Sequence, residues 1–274
     1  MNPSKKIQRI QHLLRNAGLL GLVERVRYVL SVLNCAAQNR KFVLENPDFK
    51  VPPQALAYDA YSAPHWNFYK TSGEKTASEL FSMVSKHIAK NELINILEWG
   101  CGPARVIRHI PHAFDAEVKV LGCDYNPESI NWCKNNIPNV EFVLNALSPP
   151  LPFDSNQFDF IYSISVFTHL SESVSHQWID ELYRVTRPNG ILIISMNGDS
   201  RMSFLLPDEL VVYKTKGIVI RDKFEEGKKM FFSCHSPKYL RESLFRNFLV
   251  LEHVPEGFPY TGQDMWIIKK SGSL

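Results

Sequence analysis

Residues 94–104 read Ile-Asn-Ile-Leu-Glu-Trp-Gly-Cys-Gly-Pro-Ala. An apolar run ends in an acid, and a glycine-rich turn leads into a helix-like segment from Arg105 to His112. This is how a buried parallel strand hands over to a helix around a nucleotide-like ligand. Gly100 and Gly102 let the backbone approach a ligand where a Cβ would clash. Glu98 separates this loop from a phosphate cradle, because a carboxylate at the strand tip repels a pyrophosphate and attracts an ammonium group. The expected ligand therefore has a cationic amino-acid end.

Further signals follow in order. Val118 to Asp124 reads as a second buried strand ending in an acid, about 24 residues after the first glycine, close to the distance at which dinucleotide-binding folds place a ribose-binding carboxylate. Asp124 is accordingly the expected ribose ligand. Phe158 to Ser163, followed by Ser165-Val166-Phe167-Thr168-His169-Leu170, reads as a further strand and its loop. Leu182-Tyr183-Arg184-Val185-Thr186-Arg187-Pro188-Asn189-Gly190-Ile191-Leu192 reads as a helix-to-strand turn. Together these resemble the motifs of class I S-adenosylmethionine (SAM)-dependent methyltransferases over about residues 75–270: E-x-G-C-G-x-x-R as the first motif, and the 182–192 segment as the "R-V-x-K-P-G-G" turn.

The resemblance implies a set of cofactor contacts. Glu98 would sit near the methionine amine. Gly100, Cys101 and Gly102 would form the loop, and Asp124 would hold the ribose with Tyr125 and Asn126 beside it. Asn145-Ala146-Leu147 falls at the family's adenine position, with Asn145 where many relatives have Asp. The carbonyl of Ser163 would meet the methionine amine. Tyr69, and with it Ser72, lies in a segment that folds over the methionine end in many relatives. His169 falls where small-molecule methyltransferases often place a histidine, and its imidazole titrates near neutrality and can take a hydroxyl proton. His235 and Asp199 are weaker alternatives for that base. Asn145–Phe153, Ser165–Leu170 and His235–Leu240 further resemble bacterial methyltransferases linked to glycosyltransferases and glycan assembly. The acceptor implied is a hydroxyl of a sugar or other small molecule.

Composition sets the frame. The chain has 274 residues, 45% hydrophobic and 22% charged, enough for one sizeable core with an accessory segment. A net charge of +3 gives no argument for nucleic acid. The five cysteines form no C-x-x-C pair, so no zinc site is expected, and their scatter suits a reducing compartment. No signal peptide and no run of about 18 apolar residues is found. A cytoplasmic protein is expected, as monomer or homodimer.

The expected fold is α/β: a Rossmann-like, seven-stranded, mostly parallel sheet with an antiparallel terminal hairpin and an N-terminal helical extension. Strands are read at 93–98, 118–123, 140–144, 158–163, 190–196, 248–254 and 264–270. Helices are read at 104–112, 127–136, 174–186, near 237–246, and from about 74 to 90. Asn126 is the expected N-cap before Pro127. Residues 1–45 look helical, with apolar Ile7, Ile10, Leu13 and Leu14 and basic Lys5, Lys6, Arg9, Arg15, Arg25 and Arg27. They suit a cap on the domain, a dimer contact, or an arm docking a membrane or a glycosyltransferase. Four prolines make 46–66 an irregular linker. The division is residues 1–73, extension and lid, and 74–274, SAM-dependent methyltransferase domain.

Three other functions compete with O-methylation. An NAD-dependent oxidoreductase would need a third glycine where Arg105 stands. A non-catalytic scaffold would keep the fold and dock a glycosyltransferase. Methylation of a small amine remains open, although the N-P-P-[FY] signature of adenine and glutamine methylation is missing from the fourth strand.

Overall fold

The computed structural model of the chain describes residues 20–89, 95–114 and 118–272. Ile7, Ile10, Leu13 and Leu14, with Lys5, Lys6, Arg9 and Arg15, lie outside the described residues. The strands are β1 (Asn95–Trp99), β2 (Lys119–Asp124), β3 (Glu141–Leu144), β4 (Phe158–Ser163), β5 (Thr186–Met196), β6 (Ile218–Arg221), β7 (Phe232–His235), β8 (Phe248–Phe258) and β9 (Gln263–Lys270). Seven of them form one sheet in the order β3-β2-β1-β4-β5-β9-β8. β1 to β5 pair in parallel, while β9 runs antiparallel to both β5 and β8.

Alternate side chains of the central strands feed two helical layers, as the period-2 pleat requires. Ile96, Val120, Phe160, Tyr162, Ile191 and Ile193 pack on one face with Ala77, Leu80 and Val84 of helix α3 (Trp66–Val84) and with Ile107 and Ile110. Leu97, Leu121, Ile161, Leu192 and Ile194 pack on the other against Trp178, Ile179, Leu182 and Val185 of α6 (Glu172–Val185). The one-, four- and seven-residue steps in that last set give the apolar stripe of an amphipathic helix. α6 is capped by Ser171, whose Oγ accepts the Val174 N–H. Asn126 caps α5 (Pro127–Asn136), its Oδ1 accepting from Glu128 and Ser129 N–H. α4 (Ile110–Ala113) follows a single tight turn at Ile107–His109.

The parallel-sheet reading stands, with local differences. The 46–66 stretch contains α2 (Gln54–Tyr61). Here the prolines start a helix, since Pro53 is the N-cap and its carbonyl accepts the Ala57 N–H at 3.1 Å. Trp66–Gly73 are the first turns of α3, because the His65 ring accepts the Phe68 N–H at 3.0 Å and Asn39 Oδ1 accepts the Trp66 N–H at 2.9 Å; α3 runs unbroken through residue 73. β5 begins at Thr186 and bulges at 187–190, where Phe158 pairs with Thr186 but Phe160 with Ile191. Leu210–Tyr213, which alternates like a strand, lies in α7 (Pro207–Lys216), closed by Gly217 at φ +78°. Helix α8 (Pro237–Tyr239) is only one turn, continued by a wide turn in which the Phe245 N–H reaches the Leu240 carbonyl at 2.7 Å. α1 (Leu20–Glu45) packs Asn39 and Phe42 inward, while Leu22, Val26, Val29, Leu30 and Leu33 are each more than half exposed. Among the described residues no helix is long and apolar enough to cross a membrane.

Candidate active site

The strand order reverses between β1 and β4, and ligands in open α/β sheets bind at the carboxyl ends of the strands at such a point. A cavity of about 410 Å³ opens there, within the range of small-molecule and cofactor sites. The turn after β1 forms its floor. The N–H groups of Gly100 and Cys101 both donate to the Cys123 carbonyl, at 2.8 and 3.0 Å. Gly100 stands at φ +81°, and a Cβ there would lie 2.2 Å from Val166 Cγ2, so only glycine fits. The Gly102 N–H donates to Asp124 Oδ2 and the Asn126 N–H to Oδ1, both at 2.8 Å. Each oxygen of Asp124 thus takes one backbone N–H and keeps capacity for another donor. Burial raises the Asp124 pKa, against the pull of those two N–H groups.

Glu98 is buried at the tip of β1 and accepts the Tyr162 hydroxyl at 2.8 Å. Burial pushes its carboxyl up to about 8, opposed by Tyr162, by Arg105 and by the Ile107 N–H. A cation in the cavity would restore its charge. Beyond β3, the Asn145 amide nitrogen donates to the Ala146 carbonyl at 2.7 Å, and its Oδ1 is buried without a partner. Ala146 and Leu147 line the same wall, Leu147 held by the Trp178 indole N–H on its carbonyl at 2.9 Å. Tyr125 lines the cavity too and donates its hydroxyl to the Gly227 carbonyl at 2.9 Å.

His169 ends a tight turn after β4 and lines the cavity. Its Nδ1 lies 2.8 Å from the Phe231 carbonyl. A carbonyl only accepts, so Nδ1 carries the hydrogen and Nε2 of the neutral ring is an acceptor. Burial lowers the His169 pKa, and the Phe231 carbonyl and the Asp59 carboxylate partly offset it. The other two base candidates lie elsewhere. His235 is fully buried with neither ring nitrogen partnered, and burial pushes it down to about 3. Asp199 accepts the Tyr213 hydroxyl at 2.8 Å. Neither lines the cavity.

Residues 96–190 match the family model of the methyltransferase domain. Over these residues the chain is similar to class I SAM-dependent methyltransferases. A SAM-dependent methyltransferase from Methanosarcina mazei shares its fold with a TM-score of 0.53 at 20% identity, over 70% of this chain and 98% of that one. The 1,6-didemethyltoxoflavin-N1-methyltransferase of Burkholderia thailandensis, solved with 1,6-didemethyltoxoflavin and S-adenosylhomocysteine (SAH), does so with 0.50 at 15% identity, over 73% and 78%. In sequence, the tRNA N(3)-methylcytidine methyltransferase of Drosophila melanogaster is 28% identical over 36% of this chain and 33% of its own length, so the chain spans about a third of that relative.

The cofactor is SAM, and the residues present fit it. Glu98 supplies a buried carboxylate for an ammonium group, Asp124 free acceptor capacity for two ribose hydroxyls, and Asn145 an unpartnered oxygen for the adenine amine. Two expected residues are not at the cavity. Tyr69 is buried and donates its hydroxyl to the Pro103 carbonyl at 2.6 Å; its place in α3 turns it onto the back of the glycine loop. Ser163 is buried inside β4, paired with Ile194, and the cavity is met by the next residues, Ile164 and Ser165. Ser72 likewise acts from behind, its Oγ 3.1 Å from Arg105 Nη1.

The roof falls within the expected lid, but it is helical where the sequence suggests an irregular linker: Leu56, Asp59, Ala60 and Tyr61 of α2, with Ser62, close over the cavity, and a short proline-led helix leaves no periodic signal. Sequence reading also passed over Arg105 as a ligand candidate, although it ends the E-x-G-C-G-x-x-R motif. Arg105 is buried, its guanidinium lies 5.0 Å from the Tyr61 ring centroid, and its Nε has no partner.

Proposed function

We propose that this chain transfers a methyl group from SAM to a hydroxyl of a sugar, glycan or related small molecule, with His169 as the base. The observation that carries this is the His169 tautomer: Nδ1–H on the Phe231 carbonyl leaves Nε2 an unprotonated acceptor on a residue that lines the cavity. A hydroxyl is a weak nucleophile and needs such a group to take its proton during attack. When bound, SAM supplies an electrophilic methyl on a sulfonium, whose sulfur leaves as a neutral thioether. The chain's own residues do the rest. Asp124 and Asn145 hold the nucleoside end, Glu98 orients the amino-acid end, and the α2 roof excludes water so that nucleophile and methyl stay aligned. His169 Nε2 receives the proton as the new oxygen–carbon bond forms.

The glycan class is supported by the resemblance at residues 145–153, 165–170 and 235–240 alone. Radiolabelled SAM incubated with sugar nucleotides, oligosaccharides, small phenols and small amines tests both parts. Label on a hydroxyl of a sugar, lost in His169→Ala, is expected. Label only on an amine, or none from protein that binds SAH, would overturn the hydroxyl assignment.

A further inference from the structure

On the flank of the cavity opposite Asp124, three side chains form a closed relay that the cofactor contacts above do not use. Ser165 follows β4 and stands at φ +62°, a left-handed conformation that non-glycine residues rarely adopt. Its N–H donates to Ser195 Oγ at 2.7 Å. Having accepted that hydrogen, the Ser195 hydroxyl donates its own to Gln263 Oε1, also at 2.7 Å. The Ser165 hydroxyl donates to the same oxygen at 2.9 Å. Ser195 is fully buried and Gln263 is 6% exposed. With both hydroxyls donating to Oε1, the amide's other end is its NH2 group. The amide nitrogen is used by none of these bonds, and Gln263 and Ser165 both line the cavity.

We propose that Gln263 is the positioning donor of the acceptor subsite: its amide N–H groups hold an oxygen of the methyl acceptor. The relay locks the donor before the acceptor arrives, which is how a site gains orientation without ordering side chains on binding. The neighbourhood suits an acceptor with an apolar face beside that oxygen. Phe68 and Tyr260 meet edge to face at 5.4 Å, and both line the same end of the cavity with Thr261. Gln263 starts β9, which joins the sheet beyond β5, whereas Asp124 ends β2 on the other side of β1. This rests on the methyl-transfer reading above.

The test uses the full chain labelled with [15N]glutamine, the Gln263 side-chain amide pair being the one missing from Gln263→Leu. Spectra are taken alone, with saturating SAH, and with SAH plus 4-hydroxybenzyl alcohol or methyl α-D-glucopyranoside, each at high millimolar concentration. The expected result is that SAH alone leaves the pair nearly unmoved and that one of the two hydroxyl probes shifts it. Gln263→Leu should keep the Kd for SAH within threefold, and Ser195→Ala should broaden the pair while the fold is retained. A shift of the pair by SAH alone, with a tenfold or greater loss of SAH affinity in Gln263→Leu, would place Gln263 on the cofactor carboxylate and overturn the proposal. Failure of both probes to move the pair would also overturn it. Failure of the wild-type protein to bind SAH is a separate result, and it removes the methyl-transfer reading itself.

Discussion

Replacing Asp124 by asparagine keeps the side chain's shape and removes its charge. Both carboxylate oxygens now accept a backbone N–H at 2.8 Å, and the residue is 9% exposed. An amide offers one acceptor oxygen and one NH2 group. One loop N–H then faces another donor, and a ribose hydroxyl loses a charged acceptor. A hydrogen bond to a charged group contributes about 1.5–3 kcal/mol, and about 1.4 kcal/mol is tenfold in affinity. The Kd for SAH should therefore rise ~10- to 150-fold. Folding should suffer much less. Burial raises the Asp124 pKa, so its ionised form is disfavoured in the native state above its ordinary pKa, and losing the charge offsets losing one N–H bond. Calorimetric titration with SAH at pH 7.5, alongside a thermal melt followed by circular dichroism, reads the two effects separately. An Asp124→Asn protein with wild-type melting and a Kd within twofold of wild type would refute the assignment of Asp124 to the ribose.

Three further outcomes are expected. Burial holds the Glu98 carboxyl up near 8, and an ammonium partner favours its ionised form; SAH binding between pH 6.5 and 7.5 should release protons and tighten as pH rises. Titrations in buffers of different ionisation enthalpy measure that release, and its absence would remove Glu98 from the ammonium site. His169→Ala should lower kcat by about 100-fold while leaving SAH affinity unchanged. Since burial holds the imidazole below its ordinary pKa, the base is neutral at pH 7, and the acid limb of the wild-type rate profile should lie below the usual histidine range. Tyr69→Phe removes the bond to the Pro103 carbonyl and should cost about 1 kcal/mol of stability in denaturant titration without changing the Kd for SAH.

The parallel core was legible because buried central strands and amphipathic helices leave period and composition in the chain. β1, β2 and β4 are apolar runs, and the motif acids Glu98 and Asp124 end two of them. Residue types with one physical use were also legible: glycine at a positive φ beside Val166, and Asn126 ahead of Pro127 as an N-cap. Contacts made across long sequence separations were not. The roof comes from α2, whose placement depends on Tyr61 meeting Arg105 and on Lys229, which lies 4.0 Å from the Tyr58 ring and 3.6 Å from Glu24. Tyr69 misled because the segment expected to fold over the methionine end is here helical, and the helix turns that side chain to Pro103. The relay through Ser165, Ser195 and Gln263 joins three elements that no local pattern connects.

The most direct test is a crystal structure of the full chain with SAH. The expected density lies over the C-terminal ends of β1, β2 and β4, with both ribose hydroxyls on Asp124, the adenine amine at Asn145 and the amino-acid end toward Glu98. SAH bound elsewhere, or placed with its ribose away from Asp124, would contradict the assignment on which the proposed methyl transfer depends.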